Sequence, residues 1–272
     1  NRFAMERLLC RLGQSGHAER FLLKGAMLFA IWYDEPHRPT RDVDLLGFGQ
    51  DDAEHLVALF REVAAIAMDD GLIFDMDSIR ADAIREDTNY GGTRIHLSAR
   101  LGTARCGLQV DVGFGDAVTP AAQTMALPVL LPELGAPTLH VYPVYTVIAE
   151  KYHAMVILGL ANSRMKDFFD LAVIAHRTVL DGAILGAAIH ATFTRRATSV
   201  PEHPTLALTA SFSEDPMKIR QWQAFLRKNA IPVTASLADT VALLAKVLLP
   251  ATAVALGQIS AQTWQPIPSQ WE

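Results

Sequence analysis

Apolar residues recur at helical spacing over 2–12 and over 25–33, and Gly13, Ser15 and Gly16 break the pattern between them. This predicts two helices, the second one buried. The stretch Glu35-Pro36-His37-Arg38-Pro39-Thr40 predicts a loop, because its two prolines remove donors and force their predecessors into extended backbone. Val43, Leu45 and Leu46 then bracket Asp42 and Asp44 in a short strand closed by Gly47 and Gly49. Asp51 and Asp52 are candidate caps for a helix whose apolar face is Leu56, Leu59, Phe60, Val63, Ile66 and Ala67. Residues 72–84 fit neither period. By contrast, 93–99 and 105–114 both alternate across Leu101-Gly102-Thr103-Ala104, which predicts an antiparallel hairpin. A Pro-rich segment, 120–143, carries one short strand at 138–142.

From Tyr145 the period becomes helical, with helices expected at 146–160, 167–180, 183–194, 214–229 and 236–256 and a loop near Pro201 and Pro204. The pattern therefore predicts an α+β fold, a mixed sheet with flanking helices over 1–145 followed by a helical region over 146–272. The chain contains no internal repeat.

Composition narrows the picture. The 272 residues suit one large domain or two smaller ones, and 50% apolar with 19% charged residues excludes disorder as the main state. Twenty-four Lys plus Arg against 29 Asp plus Glu leave a net charge of −5, which excludes a surface that clamps nucleic acid non-specifically all round but allows a local basic groove. Cys10 and Cys106 are too few for a disulfide framework and form no CxxC, so a reducing cytoplasm is the expected compartment. No signal-peptide pattern opens the sequence. Lys246 and Pro250 interrupt the apolar stretch 240–256, which predicts a helix with a break and no membrane partner.

Asp42-Val43-Asp44 puts two carboxylates on one face of a strand, where they repel unless a cation lies between them. Mg²⁺ takes such hard oxygen ligands together with substrate phosphates. An isolated DxD is more often a solvated strand edge, and a second copy stands at Asp75-Met76-Asp77. Lys24-Gly25-Ala26 offers a place where phosphate could approach backbone N–H groups at a helix start, or a plain strand-to-helix turn. Asp111, inside Leu108-Gln109-Val110-Asp111-Val112, either faces solvent or supplies a third ligand from a neighbouring strand. Arg38 and Arg41, beside the DxD, would contact an incoming phosphate or acceptor RNA, or neutralise the two carboxylates.

Further along, Lys151 lies on a helix with Ala154 and Met155, and its long cationic chain could reach phosphate or simply pair at the surface. Arg164, Lys166 and Asp167 stand at a loop-to-helix junction where Asp167 favours the helix start, and Asp170 reads as part of that helix's polar side. The nine histidines lack zinc-ligand spacing, and neither GxSxG nor a P-loop is present. Trp222 and Phe225, three residues apart, read as a packing stripe.

Gly25-Ala26, Asp42-x-Asp44 and the later Asp111 together resemble the signature of the DNA polymerase β-like nucleotidyltransferase superfamily. Five segments in order resemble the AbiEii/AbiGii toxin family more closely: 21–26 around Lys24-Gly25-Ala26, 40–45 around the DxD, 110–116 around Asp111, 149–155 around Lys151, and 162–171 around Lys166-Asp167. The resemblance spans about residues 20–230. It implies a nucleotidyltransferase-type sheet and a helical second domain completing the active-site cleft. It also implies a Mg²⁺- or Mn²⁺-dependent transfer of NMP from NTP to an acceptor hydroxyl, RNA such as tRNA being favoured, in a toxin with a cognate antitoxin. Asp42, Asp44 and Asp111 would hold metal. Lys24, Gly25, Ala26, Arg41, Lys151 and Lys166 would hold nucleotide, with Lys151 and Asp167 also catalytic. One departure is Ala26, where the superfamily often has Ser or Gly, so a hydroxyl contact to phosphate is missing. That departure and the acidic charge support a second reading, a non-catalytic nucleotide-binding regulator of the same fold.

Overall fold

A computed structural model describes residues 1–33, 38–40, 42–84, 91–232 and 235–272. The chain divides into two compact units, residues 1–116 with 122–142, and residues 117–121 with 143–272. Residues 35–37 of the predicted loop, and Arg41, lie outside the described residues; 38–40 are neither helix nor strand.

The first unit runs α1 (Arg2–Gln14), β1 (Phe21–Lys24), α2 (Leu28–Tyr33), β2 (Val43–Gly47), α3 (Ala53–Ala65), β3 (Leu72–Ile84), β4 (Gly92–Leu101), β5 (Ala104–Phe114), β6 (Gln123–Ala126) and β7 (Thr138–Val141). Its seven strands form one sheet in the order β3-β4-β5-β2-β1-β7-β6. The β2–β5 and β1–β7 pairs are parallel and the rest antiparallel, so the sheet is mixed, as the sequence pattern implies. The hairpin is β4–β5, closing at Leu101 opposite Ala104, with Gly102 in the left-handed conformation its two-residue turn requires. Residues 72–84 resist a periodic reading because β3 slips register between Asp75 and Arg80, a bulge that interrupts alternation. The second DxD, Asp75 and Asp77, stands exposed at that bulge and binds its own backbone, with Asp77 N–H donating to Asp75 Oδ1 at 3.2 Å.

Two expected helices change form. Residues 25–33 are not one helix: Gly25–Met27 makes a 3₁₀ turn ahead of the six-residue α2, and β1 ends at Lys24. α3 is capped by Asp52, whose side chain accepts the His55 N–H at 2.8 Å, but it stops before Ile66. There the chain turns extended and the Ile66 carbonyl accepts Arg11 Nε at 2.9 Å.

That bond belongs to a buried charge cluster. Arg7 and Arg11 of α1 both reach Asp70, Arg7 through Nε at 3.0 Å and Arg11 through Nη1 at 2.6 Å and Nη2 at 3.1 Å. Arg7 Nη1 also donates to the carbonyls of Leu134 and Gly135, each at 3.0 Å. Burial by itself would raise the Asp70 pKa, but the hydrogen bonds from Arg11 and Arg7 outweigh it and hold the carboxyl below its ordinary value. α1 is thus pinned at once to the end of α3, to the entry of β3 and to the loop before β7. An apolar-face reading of α1 counts Glu6, Arg7 and Arg11 as its polar side, yet all three are buried.

The second unit contains α4 (Val144–Leu158), α5 (Met165–Arg177), β8 (Leu180–Asp181), α6 (Gly182–Arg195), α7 (Ala210–Ser213), α8 (Pro216–Lys228), α9 (Leu237–Ala255), β9 (Thr263–Gln265) and β10 (Gln270–Trp271). The expected helices are present within a few residues of their predicted ends. The small sheet β10-β9-β8 has no counterpart in the sequence pattern, since its strands are two or three residues long. Its Trp264 is fully buried and donates to the Ala175 carbonyl at 2.8 Å.

The predicted break at Pro250 is absent, because α9 runs through it without interruption. Proline cannot donate to the carbonyl four residues back, that of Lys246, and the Trp271 indole N–H bonds this carbonyl instead at 2.9 Å. By length and composition, Val144–Ala161 and Leu237–Ala255 are apolar enough to cross a membrane. Here Ile148, Tyr152 and Met155 of α4 and Val241, Leu244, Val247 and Leu248 of α9 are buried in the unit's own core. Trp222 and Phe225 stack at 5.9 Å as the expected packing stripe.

Replacing Arg11 by Met leaves Asp70 with half of its counter-charge and frees the Ile66 carbonyl. The expected loss is about 3 kcal/mol, the scale of a broken buried pair. Because the folded-state pKa of Asp70 is depressed, its contribution is complete above the ordinary carboxylate pKa of about 4 and is lost as pH falls below it. Urea unfolding at neutral and acidic pH should therefore show the gap between wild type and Arg11→Met narrowing in acid.

Candidate active site

Strand register assembles the first cluster. Asp44 of β2 lies beside Asp111 of the parallel β5, and Asp42 stands two residues before Asp44 on the same face. One carboxylate oxygen from each of Asp42, Asp44 and Asp111 lies within 4.8 Å of the others. The three residues are half-buried. Three carboxylates at this separation form an all-oxygen set suited to Mg²⁺ or Mn²⁺. Thr40 Oγ1 donates to Asp42 Oδ1 at 2.6 Å, fixing one member of the trio.

Cations flank the trio in the same row of the sheet. Lys24 of β1 is the register partner of Asp44, and Arg94 of β4 is the register partner of Asp111. Arg94 grips Asp111 at two points, Nε to Oδ1 at 2.8 Å and Nη2 to Oδ2 at 2.7 Å, while Gln109 Nε2 donates to the same Oδ1 at 3.2 Å. The hydrogen bond from Arg94 to Asp111 raises the guanidinium's pKa, and the charges of Asp111, Asp42 and Asp44 add to this. Lys24 Nζ lies 3.3 Å from Asp116 and 5.6 Å from the centre of the Tyr142 ring.

The glycine of the motif has a definite steric task. Gly25 adopts φ +76°, and any Cβ built there would run into the Asp44 carboxylate. Only hydrogen at this position lets the chain leave β1 while Asp44 keeps its place. Ala26, next to it, is buried.

The second cluster lies in the helical unit. Lys151 Nζ donates to Asp167 Oδ1 at 2.7 Å and to Asp170 Oδ2 at 2.8 Å, and both aspartates are buried. Arg164 Nε lies 2.7 Å from the other Asp167 oxygen. Burial would lower the Lys151 pKa, but the Asp167 and Asp170 carboxylates overcome it and keep it above the ordinary lysine value. For Asp167 burial works upward and is outweighed by the charges of Lys151 and Arg164, so its pKa is depressed. Asp170 is therefore a buried ion-pair partner and not a residue of a solvated polar face. Lys166, between them in sequence, is exposed.

Against this geometry stand the comparisons. The model of a family described as nucleotidyl transferase AbiEii toxin, Type IV toxin–antitoxin system, matches residues 7–242. The chain belongs to this AbiEii family. It is thereby a member of a nucleotidyltransferase toxin family of toxin–antitoxin systems. No curated protein matches the chain. The crystal structure of JHP933 from Helicobacter pylori is similar with a TM-score of 0.47 and 13% identity, covering 93% of this chain and 90% of that one. A second H. pylori crystal structure, described as a nucleotidyltransferase, gives a TM-score of 0.47 and 14% identity over 93% of this chain and 92% of that one.

In this AbiEii protein the structure brings Lys24, Asp44 and Asp111 into one row of the first unit, sets Gly25 and Asp42 beside that row, and joins Lys151 to Asp167 in the second. Arg41 lies outside the described residues. Sequence reasoning missed Arg94, Gln109 and Thr40 in the first cluster and the ion-paired role of Asp170 in the second. Arg94 was within reach: counting outward from the hairpin turn at Gly102-Thr103 puts it opposite Asp111.

Two outcomes follow from this geometry. Gly25→Ala should cost about 1–3 kcal/mol, since alanine must adopt left-handed backbone and displace Asp44, and urea unfolding measures it. Lys151→Met should cost about 3–5 kcal/mol near neutral pH by taking the shared ammonium from two buried carboxylates, of which Asp167 keeps Arg164. With Asp167 depressed and Lys151 raised, the pair's contribution to stability is complete between about pH 4 and about pH 10, the ordinary values of the two groups. The deficit of the variant, followed by unfolding against pH, should shrink on both sides of that window.

Proposed function

We propose that this AbiEii-family chain transfers NMP from NTP to an acceptor hydroxyl on RNA, tRNA being the favoured acceptor, as the toxin of a cytoplasmic toxin–antitoxin pair with a cognate antitoxin. The observation that supports this most directly is the Asp42, Asp44 and Asp111 trio, three carboxylates drawn together on adjacent strands with Gly25 packed against one of them. Asp42 and Asp44, with Asp111, hold Mg²⁺ or Mn²⁺. Once bound, the divalent ion offsets triphosphate charge and makes the acceptor hydroxyl more acidic. Lys24, together with the backbone at Gly25 and Ala26, steadies the triphosphate, and Arg41 adds a cation beside the DxD. Lys151, Lys166 and Asp167 belong to the reading through the family motifs they occupy.

The reaction balances simply. The acceptor oxygen attacks the α-phosphorus, its proton passes to the Asp111 carboxylate, the α–β phosphoanhydride bond breaks, and pyrophosphate leaves. The residues contribute position and charge, which dominate phosphoryl transfer.

The test is incubation of the purified chain with each α-labelled NTP, Mg²⁺ and total bacterial RNA, beside Asp42→Asn and Asp44→Asn. Label on a discrete RNA species with wild type, reduced at least 100-fold in either variant, is the expected result. Metal-dependent NTP binding without transfer to RNA or protein would instead favour the non-catalytic regulator.

A further inference from the structure

The carboxylate trio comes with its own counter-cation, which holds the oxygens of one of its three members. Arg94 covers both oxygens of Asp111 with two short hydrogen bonds, and Gln109 adds a third donor to Oδ1. A planar guanidinium matches a carboxylate at two points in a way an ammonium ion does not. It also cannot give up its proton near neutral pH, so its charge leaves the cluster only if the side chain moves. The Arg94 side chain is 37% exposed against 17% for Asp111, so solvent lies open to the guanidinium while the carboxylate is held in the strand.

We infer that Arg94 is a positioning residue that competes with the divalent metal for Asp111, so that metal loading requires its two-point grip on that carboxylate to open. This rests on the metal-dependent transfer reading above and assigns a regulator to the same site. In the closed arrangement Arg94 screens mutual repulsion among Asp42, Asp44 and Asp111 and keeps Asp111 a poor metal ligand. When the grip opens, the divalent charge takes over that screening and Asp111 regains its lone pairs. A site built this way stays folded without metal and binds it less tightly than three bare carboxylates would.

The experiment is Mn²⁺ binding to the full chain, followed by the loss of the free-Mn²⁺ paramagnetic resonance signal, for wild type, Arg94→Gln and Arg94→Lys. Arg94→Gln should bind Mn²⁺ at least tenfold more tightly than wild type, and Arg94→Lys, which keeps the charge but loses the fork, should fall between them. In parallel, thermal unfolding in a chelator should show Arg94→Gln less stable than wild type, with a larger stabilisation on adding Mn²⁺. Equal or weaker Mn²⁺ binding by Arg94→Gln, with wild type still binding, overturns the competition and leaves the metal site standing. No Mn²⁺ binding by any of the proteins overturns both. If Arg94→Gln fails to fold, Arg94→Lys decides alone, since binding no tighter than wild type overturns the inference.

Discussion

Repulsion among three carboxylates is the constraint around which the first unit is arranged. Asp44 and Asp111 are neighbours because β2 and β5 run parallel in register, and Asp42 shares their face because it is two residues from Asp44. Such a row is unfavourable unless positive charge lies within a few ångströms. The sheet supplies it directly at Asp111, which Arg94 of β4 grips at two points, and sets Lys24 of β1 in register with Asp44. One line of residues across four strands thus runs cation, anion, anion, cation. Gly25 completes the arrangement by removing the one side-chain atom that would collide with Asp44.

Buried charge recurs elsewhere in the chain, in both units, with the same logic. Arg7 and Arg11 share Asp70, and Lys151 is shared by Asp167 and Asp170. In each case a desolvated ion is tolerated because several hydrogen bonds reach it at once. The first cluster ties α1 to three separate places in its unit. The second joins α4 to α5, so any role of Lys151 or Asp167 in turnover would be carried by groups that also hold the helices together.

Much of this is legible in the sequence. The DxD strand, the Asp52-capped helix, the hairpin with its turn and the helical second half follow from periods of two and of 3.6 and from turn residues. As a bare motif the second DxD, Asp75 and Asp77, matches the first; the accompanying motifs single out the first, and the structure puts the second at an exposed bulge. Pro250 predicts a break that α9 does not have, because Trp271, distant in sequence, replaces the missing donor. Arg7, Arg11 and Asp170 look like surface residues because residue type records polarity and not the partner that makes burial affordable.

The sequence by itself determined the local order of this protein: where strands and helices lie, that Gly25 precedes a carboxylate pair, and that the ordered motifs belong to a nucleotidyltransferase toxin family. Tertiary structure decided which of those residues meet. Register between strands far apart in the chain set Asp111 beside Asp44 and Arg94 upon Asp111, and packing between helices delivered Asp167 and Asp170 to Lys151. Periodicity encodes which face a side chain takes, since that depends on neighbours a few residues away. Pairing of charges depends on distances in space that no local pattern contains.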